Sequence, residues 1–152
     1  KRVELMDNYV EKNGIEVKSG AKELLSFLKE NGYKVALATA TPPQRAERYL
    51  KAHDLYKYFD VTVSASMVSV GKPAPDIYLK AAEMLGLSPQ NCVALEDSPN
   101  GIKSASSAGC VTVMVPDLDK PSNDIIPLLH GVADGLSDVK RILRELEDCN
   151  IQ

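Results

Sequence analysis

No stretch of this chain is apolar for the ~18 residues that a membrane-crossing helix needs, so a spanning helix is excluded from the start. Lys1-Arg2 has the charge of a signal-peptide start, but the apolar core that would have to follow is missing. Basic residues form no run and do not interleave with aromatics, and the formal net charge is −3, so neither nucleic acid nor a membrane is an expected partner. Cysteine is scarce: Cys92, Cys110 and Cys149 are odd in number and in no Cys-x-x-Cys spacing. They fit reduced thiols in a cytoplasmic protein better than a zinc site or a disulfide framework. His53 and His130 have no cysteine or carboxylate at ligand spacing, and no chemistry is assigned to either. Repeats and low-complexity linkers are also lacking. The first residue is not Met, and the chain is expected to begin partway through a longer protein.

What is present is a length and apolar fraction sufficient for a single core: 152 residues, ordinary for one globular domain. Arg2 to Lys12 carries Val3, Met6 and Val10 at helical spacing and ends at Asn13-Gly14, which predicts a helix. Ala21 to Glu30 is a firmer helix, with Leu24, Leu25 and Leu28 as its stripe. Lys34 to Ala38 reads as a strand. Thr41 is placed as the N-cap and Pro42 as the first residue of a helix that runs to about Ala52. Strand Val61–Val63 follows, then a proline-stiffened loop containing Gly71-Lys72-Pro73-Ala74-Pro75, and a helix from Asp76 to Leu85 closed by Gly86. A helix from about Gly101 to Ala108, a strand from Val111 to Val115 and a terminal helix from Asp138 to Cys149 complete the pattern. Strands alternating with helices predict an α/β fold: a doubly wound, mainly parallel sheet with helices on both faces.

Val93-Ala94-Leu95-Glu96-Asp97-Ser98 organises the rest. It is a short buried strand ending in two adjacent carboxylates. Negative charge at the tip of a buried strand is unfavourable unless a cation offsets it. Two carboxylates alone fit an exposed acidic turn better than a metal site. The fold changes that weighting, because every strand of a parallel sheet ends on one edge, where ligands bind. Thr39, the Lys72 loop and Glu96-Asp97 are then expected around one cleft. Taken singly, Thr39 ends a strand, Thr41 caps a helix and Lys72 is a solvated loop lysine. Together they suit a phosphate beside Mg²⁺. Asp117-Leu118-Asp119 offers a weaker acidic pair, because Pro116 and Pro121 interrupt the backbone around it.

Val35-Ala36-Leu37-Ala38-Thr39, Gly71-Lys72-Pro73-Ala74-Pro75-Asp76 and Leu95-Glu96-Asp97-Ser98 with Gly101 resemble, in order, motifs two, three and four of the haloacid dehalogenase (HAD) superfamily. The nearest branch is that of β-phosphoglucomutase and small-molecule phosphatases. The resemblance covers about Val17 to Cys149 and implies a Rossmann-like core and Mg²⁺-dependent phosphoryl transfer through an aspartyl-phosphate. Carried onto this chain, it implies that Thr39, Ala40, Thr41 and Lys72 bind phosphate, with Thr39 and Lys72 catalytic. It implies Asp97 as a Mg²⁺ ligand, Glu96 as a further ligand or a partner behind it, and Ser98 as a neighbouring contact.

The family's first motif, Asp-x-Asp-Gly-Thr/Val, which supplies the nucleophile, is absent, as is most of the helical cap. Residues 1–16 are expected to be a remnant of a cap or hinge helix and residues 17–152 an incomplete core with its central strand missing. The function expected is a phosphatase acting on a small phosphorylated metabolite, with the nucleophile-bearing segment upstream and these 152 residues inactive alone. The alternatives are a β-phosphoglucomutase-type mutase and an inactive binding domain that keeps the phosphate and metal pocket. Pro43, where the mutase branch carries a side-chain donor, leans toward the phosphatase. A signalling receiver domain is disfavoured, because there the acidic pair comes first and the lysine last.

Overall fold

The computed structural model describes residues 3–7, as backbone, together with residues 17–117 and 120–149. Among the described residues, six parallel strands form one sheet: β1 (Val3–Asp7), β2 (Lys34–Thr39), β3 (Val61–Ser64), β4 (Cys92–Glu96), β5 (Val111–Met114) and β6 (Gly131–Val132). Their order is β3-β2-β1-β4-β5-β6, and every pair is parallel. Among the described residues, five α-helices connect or close them: α1 (Ala21–Glu30), α2 (Pro43–Ala52), α3 (Asp76–Leu85), α4 (Pro99–Ala108) and α5 (Val139–Cys149). This is the doubly wound α/β architecture expected from the alternation of elements.

Strand alternation explains the two layers. In β2, Val35 and Leu37 share a core with Leu24, Leu25 and Leu28 of α1, Leu50 of α2 and Ile142 and Leu143 of α5. Ala36 and Ala38 face the opposite way, against Ile77, Tyr78, Ala81 and Leu85 of α3 and Ala105 and Ala108 of α4. Bulky aliphatics therefore fill one face, while alanines on the other let α3 and α4 pack close to the strands.

Two corrections concern the amino terminus and α2. Val3–Asp7 is a strand, not part of a helix from Arg2 to Lys12, and residues 8–16 lie outside the described residues. That strand pairs with β2 on one side and β4 on the other, so the slot expected to be empty is filled. A five-residue segment with apolar residues at two spacings satisfies either period, and pairing on both edges decides it. Helix α2 starts at Pro43, with Pro42 rather than Thr41 at the cap position. Pro42 precedes another proline and sits at ψ 144°, outside the helical region, as a residue before proline must.

Candidate active site

The winding of the sheet changes direction at β1, and in such sheets the crevice at that switch point, beyond the carboxyl ends of the strands, receives ligands. Register places the ends of β2 and β4 on either side of β1: Asp7 pairs with Ala38, and Met6 with Leu95. Thr39 and Glu96 thus stand at the same edge, about 10 Å apart by two strand spacings.

Thr39 is buried, and its Oγ1 accepts the Thr41 amide proton at 3.0 Å. That bond folds the turn after β2, and Ser64 at the end of β3 secures it by donating from Oγ to the Thr41 carbonyl at 2.9 Å. Among the described residues, the Thr39 hydroxyl proton has no protein acceptor. A buried donor in that condition asks for a ligand or water oxygen. Ala40 is exposed between the two threonines, and the buried Thr41 uses its amide and carbonyl internally.

Lys72 stands on the loop between β3 and α3, whose Lys72-Pro73 peptide is cis. Ala74 anchors this loop at both of its backbone polar groups. Its N–H donates to the Gly71 carbonyl at 3.0 Å, and its carbonyl accepts from the buried Ser104 Oγ of α4 at 2.6 Å. The Lys72 ammonium meets Glu96 Oε1 at 2.5 Å, with 17 % of the lysine side chain exposed and none of the glutamate's. The Tyr78 hydroxyl of α3 donates to the same carboxylate oxygen, and Lys72 Nζ lies 5.2 Å from the Tyr78 ring centroid. Glu96 follows Cys92 and Ala94 on the α3–α4 face of the sheet, which explains why its side chain runs inward rather than to solvent. Room for it comes from Gly101, because a Cβ there would land on the Glu96 carboxylate.

The next residue, Asp97, is half-buried at the strand end. Ser98 then starts α4, its Oγ accepting the Gly101 amide proton at 3.1 Å. A hard cation needs about six oxygen ligands. Among the described residues, no group of three or more His, Cys, Asp or Glu side chains gathers to hold one. The donor set thus fits one carboxylate of a divalent-cation site, Asp97, with Glu96 engaged by Lys72 and Tyr78 behind it. A separate groove of about 170 Å³, lined by Phe27, Tyr33, Arg144 and Glu147 among others, contains none of the strand-end residues.

The family profile of haloacid dehalogenase-like hydrolases matches residues 2–109. The chain belongs to that family. This HAD-like chain is 40 % identical over 124 residues to the phosphorylated carbohydrates phosphatase of Thermotoga maritima, an alignment covering 82 % of the chain and 50 % of that protein. It is 40 % identical over 97 residues to hexitol phosphatase B of Escherichia coli K12, covering 64 % of the chain and 44 % of that protein. A solved structure described as a putative β-phosphoglucomutase from Thermotoga maritima superposes with a TM-score of 0.75 at 35 % identity, over 84 % of this chain and 59 % of that one. The HAD-like chain spans about half the length of these curated relatives.

Of the residues singled out from sequence, the structure joins Lys72 directly to Glu96 and sets Thr39, Ala40, Thr41 and Asp97 along the same sheet edge. Of the Asp117-Leu118-Asp119 segment, Leu118 and Asp119 lie outside the described residues. Tyr78, Ser64 and Ser104 escaped the sequence reading. The available signal for Tyr78 was a phenol on the otherwise apolar stripe of α3, six residues past the loop lysine.

Proposed function

We propose that the chain is the C-terminal part of the core of a Mg²⁺-dependent phosphatase for a small phosphorylated metabolite. The observation that carries this reading is the Lys72–Glu96 pair at the same edge as the Thr39 hydroxyl. Lys72 neutralises the transferring phosphoryl group, and Thr39 donates a hydrogen bond to it. Donors already held in place gain strength where charge grows in the transition state. Ala40 and Thr41 line the phosphate side. Asp97 supplies one carboxylate to the metal, and Glu96 holds Lys72 from behind. Bound there, Mg²⁺ would offset phosphate charge and orient the attacking group. Phosphatase names among the relatives, together with Pro43 at the start of α2, support hydrolysis over mutase chemistry.

The nucleophile, an aspartate that becomes the aspartyl-phosphate, comes in this reading from an upstream segment and not from Asp7. Asp7 is followed by Asn8-Tyr9-Val10, without the second Asp and the Gly of the family's first motif. Substrate selection belongs to a cap that is likewise upstream. The substrate in this reading is a small phosphorylated molecule and the setting cytoplasmic; among the described residues no helix is long and apolar enough to cross a membrane.

The test is hydrolysis of an aryl phosphate and of sugar and hexitol phosphates by the full-length protein with Mg²⁺. Substituting Lys72→Ala is expected to lower kcat/KM by about a hundredfold or more, the scale of losing one preorganised charge contact. Equal activity of that variant, or phosphate migration on a sugar without release, would overturn the assignment. Binding without turnover would favour an inactive pocket.

A further inference from the structure

We propose that Tyr78 is a positioning residue for this site: its phenol fixes the Glu96 carboxylate, which in turn aims the Lys72 ammonium. The inference rests on the phosphatase reading above and extends it to a residue buried one layer below the substrate.

Tyr78 is wholly buried on the α3 stripe, beside Ile77, Ala81, Ala82 and Leu85. Its neighbours across the layer are Ala36, Ala38 and Ala94. Packing alone is satisfied by phenylalanine there. A hydroxyl in such a layer is tolerated only with a partner. That partner is the carboxylate oxygen that also receives Lys72 at 2.5 Å. The ring flanks the same lysine, with Nζ 5.2 Å from its centroid. Glu96 is thus enclosed by Lys72, by Tyr78 and by the Cβ-free surface of Gly101. Ser98 Oγ, 3.5 Å from Oε2, is too distant to set the carboxylate's rotation. The phenol therefore supplies a directional grip from the rigid α3 side. Lys72 stands on a loop and reaches the edge, whereas Tyr78, with no exposure, acts from behind it, through Glu96 and against the lysine itself.

The experiment is a double-substitution cycle in the full-length protein, Tyr78→Phe with and without Glu96→Gln. Two readouts are taken: aryl phosphate turnover with Mg²⁺, and the rate at which an amine-acylating reagent labels Lys72, followed by mass spectrometry. Tyr78→Phe is expected to lower kcat about tenfold at nearly constant KM. It should also raise Lys72 labelling about threefold as the ion pair loosens, and both effects should shrink below twofold in the Glu96→Gln background. Equal effects in both backgrounds would show a purely structural role and overturn the proposal, as would no effect in either. If the parent enzyme hydrolyses no phosphate ester, the functional reading fails by itself. The labelling cycle then still decides whether Tyr78 acts on Lys72 through Glu96.

Discussion

Gly101 is the residue whose absence of a side chain the candidate site depends on most. It lies in the first turn of α4, and an added Cβ would occupy the place of the Glu96 carboxylate. That carboxylate has Lys72 and Tyr78 as partners, so displacing it separates a buried charge from its counter-ion. Such a separation costs about 3–5 kcal/mol. Gly101→Ala is accordingly expected to lower unfolding free energy by about 3 kcal/mol in urea titration, with loss of the Lys72 contact. Gly86→Ala is the control: nothing stands within 4 Å of its Cβ, and its φ of +71° brings only left-handed strain of about 1–2 kcal/mol. Equal costs for the two would mean that Glu96 moves aside easily. The cysteines yield a second prediction at this scale. Burial pushes the Cys92 thiol to about 11 and, with the neighbouring Cys92 adding to the effect, the Cys110 thiol to about 12. Both remain protonated and enclosed at neutral pH, whereas Cys149 is exposed. Iodoacetamide should therefore modify Cys149 alone in the native protein and all three cysteines after denaturation, as read by intact mass.

Among the elements, the Asp60 side chain ties α1 and β2 to the start of β3. Asp60 accepts from the Val35 amide at 2.7 Å and from Lys29 Nζ at 2.9 Å, while its own amide donates to the Val35 carbonyl at 2.8 Å. Partial burial by itself would raise its carboxyl. The Val35 amide and the Lys29 ammonium outweigh that and hold it below the ordinary 3.8. A depressed carboxyl contributes stability that is present above the ordinary value and lost as the pH falls through the lower, folded one. Asp60→Ala should thus cost about 1–2 kcal/mol at neutral pH and progressively less in acid, measured by urea titration across that range. A difference independent of pH would remove Asp60 from this role. The same scale shows what the sequence made legible. Helix α3 runs from Asp76 to Leu85 as expected, because a stiff proline loop and a left-handed Gly86 bound it from both sides. Thr39, Lys72, Glu96 and Asp97 are placed at one sheet edge by a rule about parallel strands, which fixes where strand ends meet without any knowledge of side-chain contacts. Tyr78 and Ser104 were not found, because their role consists of contacts between elements far apart in the chain. Strand β6, only Gly131–Val132, carries no period to read, and β1 has an apolar spacing that also fits a helix, because sheet pairing, not local preference, decides it.

At the scale of the whole molecule, the central slot of the sheet raises a question of competition. Val3–Asp7 pairs with β2 through five residues and with β4 through four. A sheet with that slot open would leave backbone groups of β2 and β4 unpaired, at about 1–3 kcal/mol for each buried group, so some strand must fill it. The nucleophile-bearing strand of the proposed upstream segment belongs in the same position, beside Thr39 and Glu96. Only one strand can pair there at a time. In the 152-residue chain, the amides of residues 3–7 should therefore be protected from hydrogen exchange, and no phosphatase activity should appear. In the longer protein the upstream strand should take the slot, the amides of residues 3–7 should exchange rapidly, and turnover should appear and be insensitive to Asp7→Asn. Exchange mass spectrometry on both forms, paired with an aryl phosphate assay, reads each outcome. Protection of residues 3–7 in the longer active protein, or activity of the 152-residue chain abolished by Asp7→Asn, would place the nucleophile on β1 and overturn the upstream assignment.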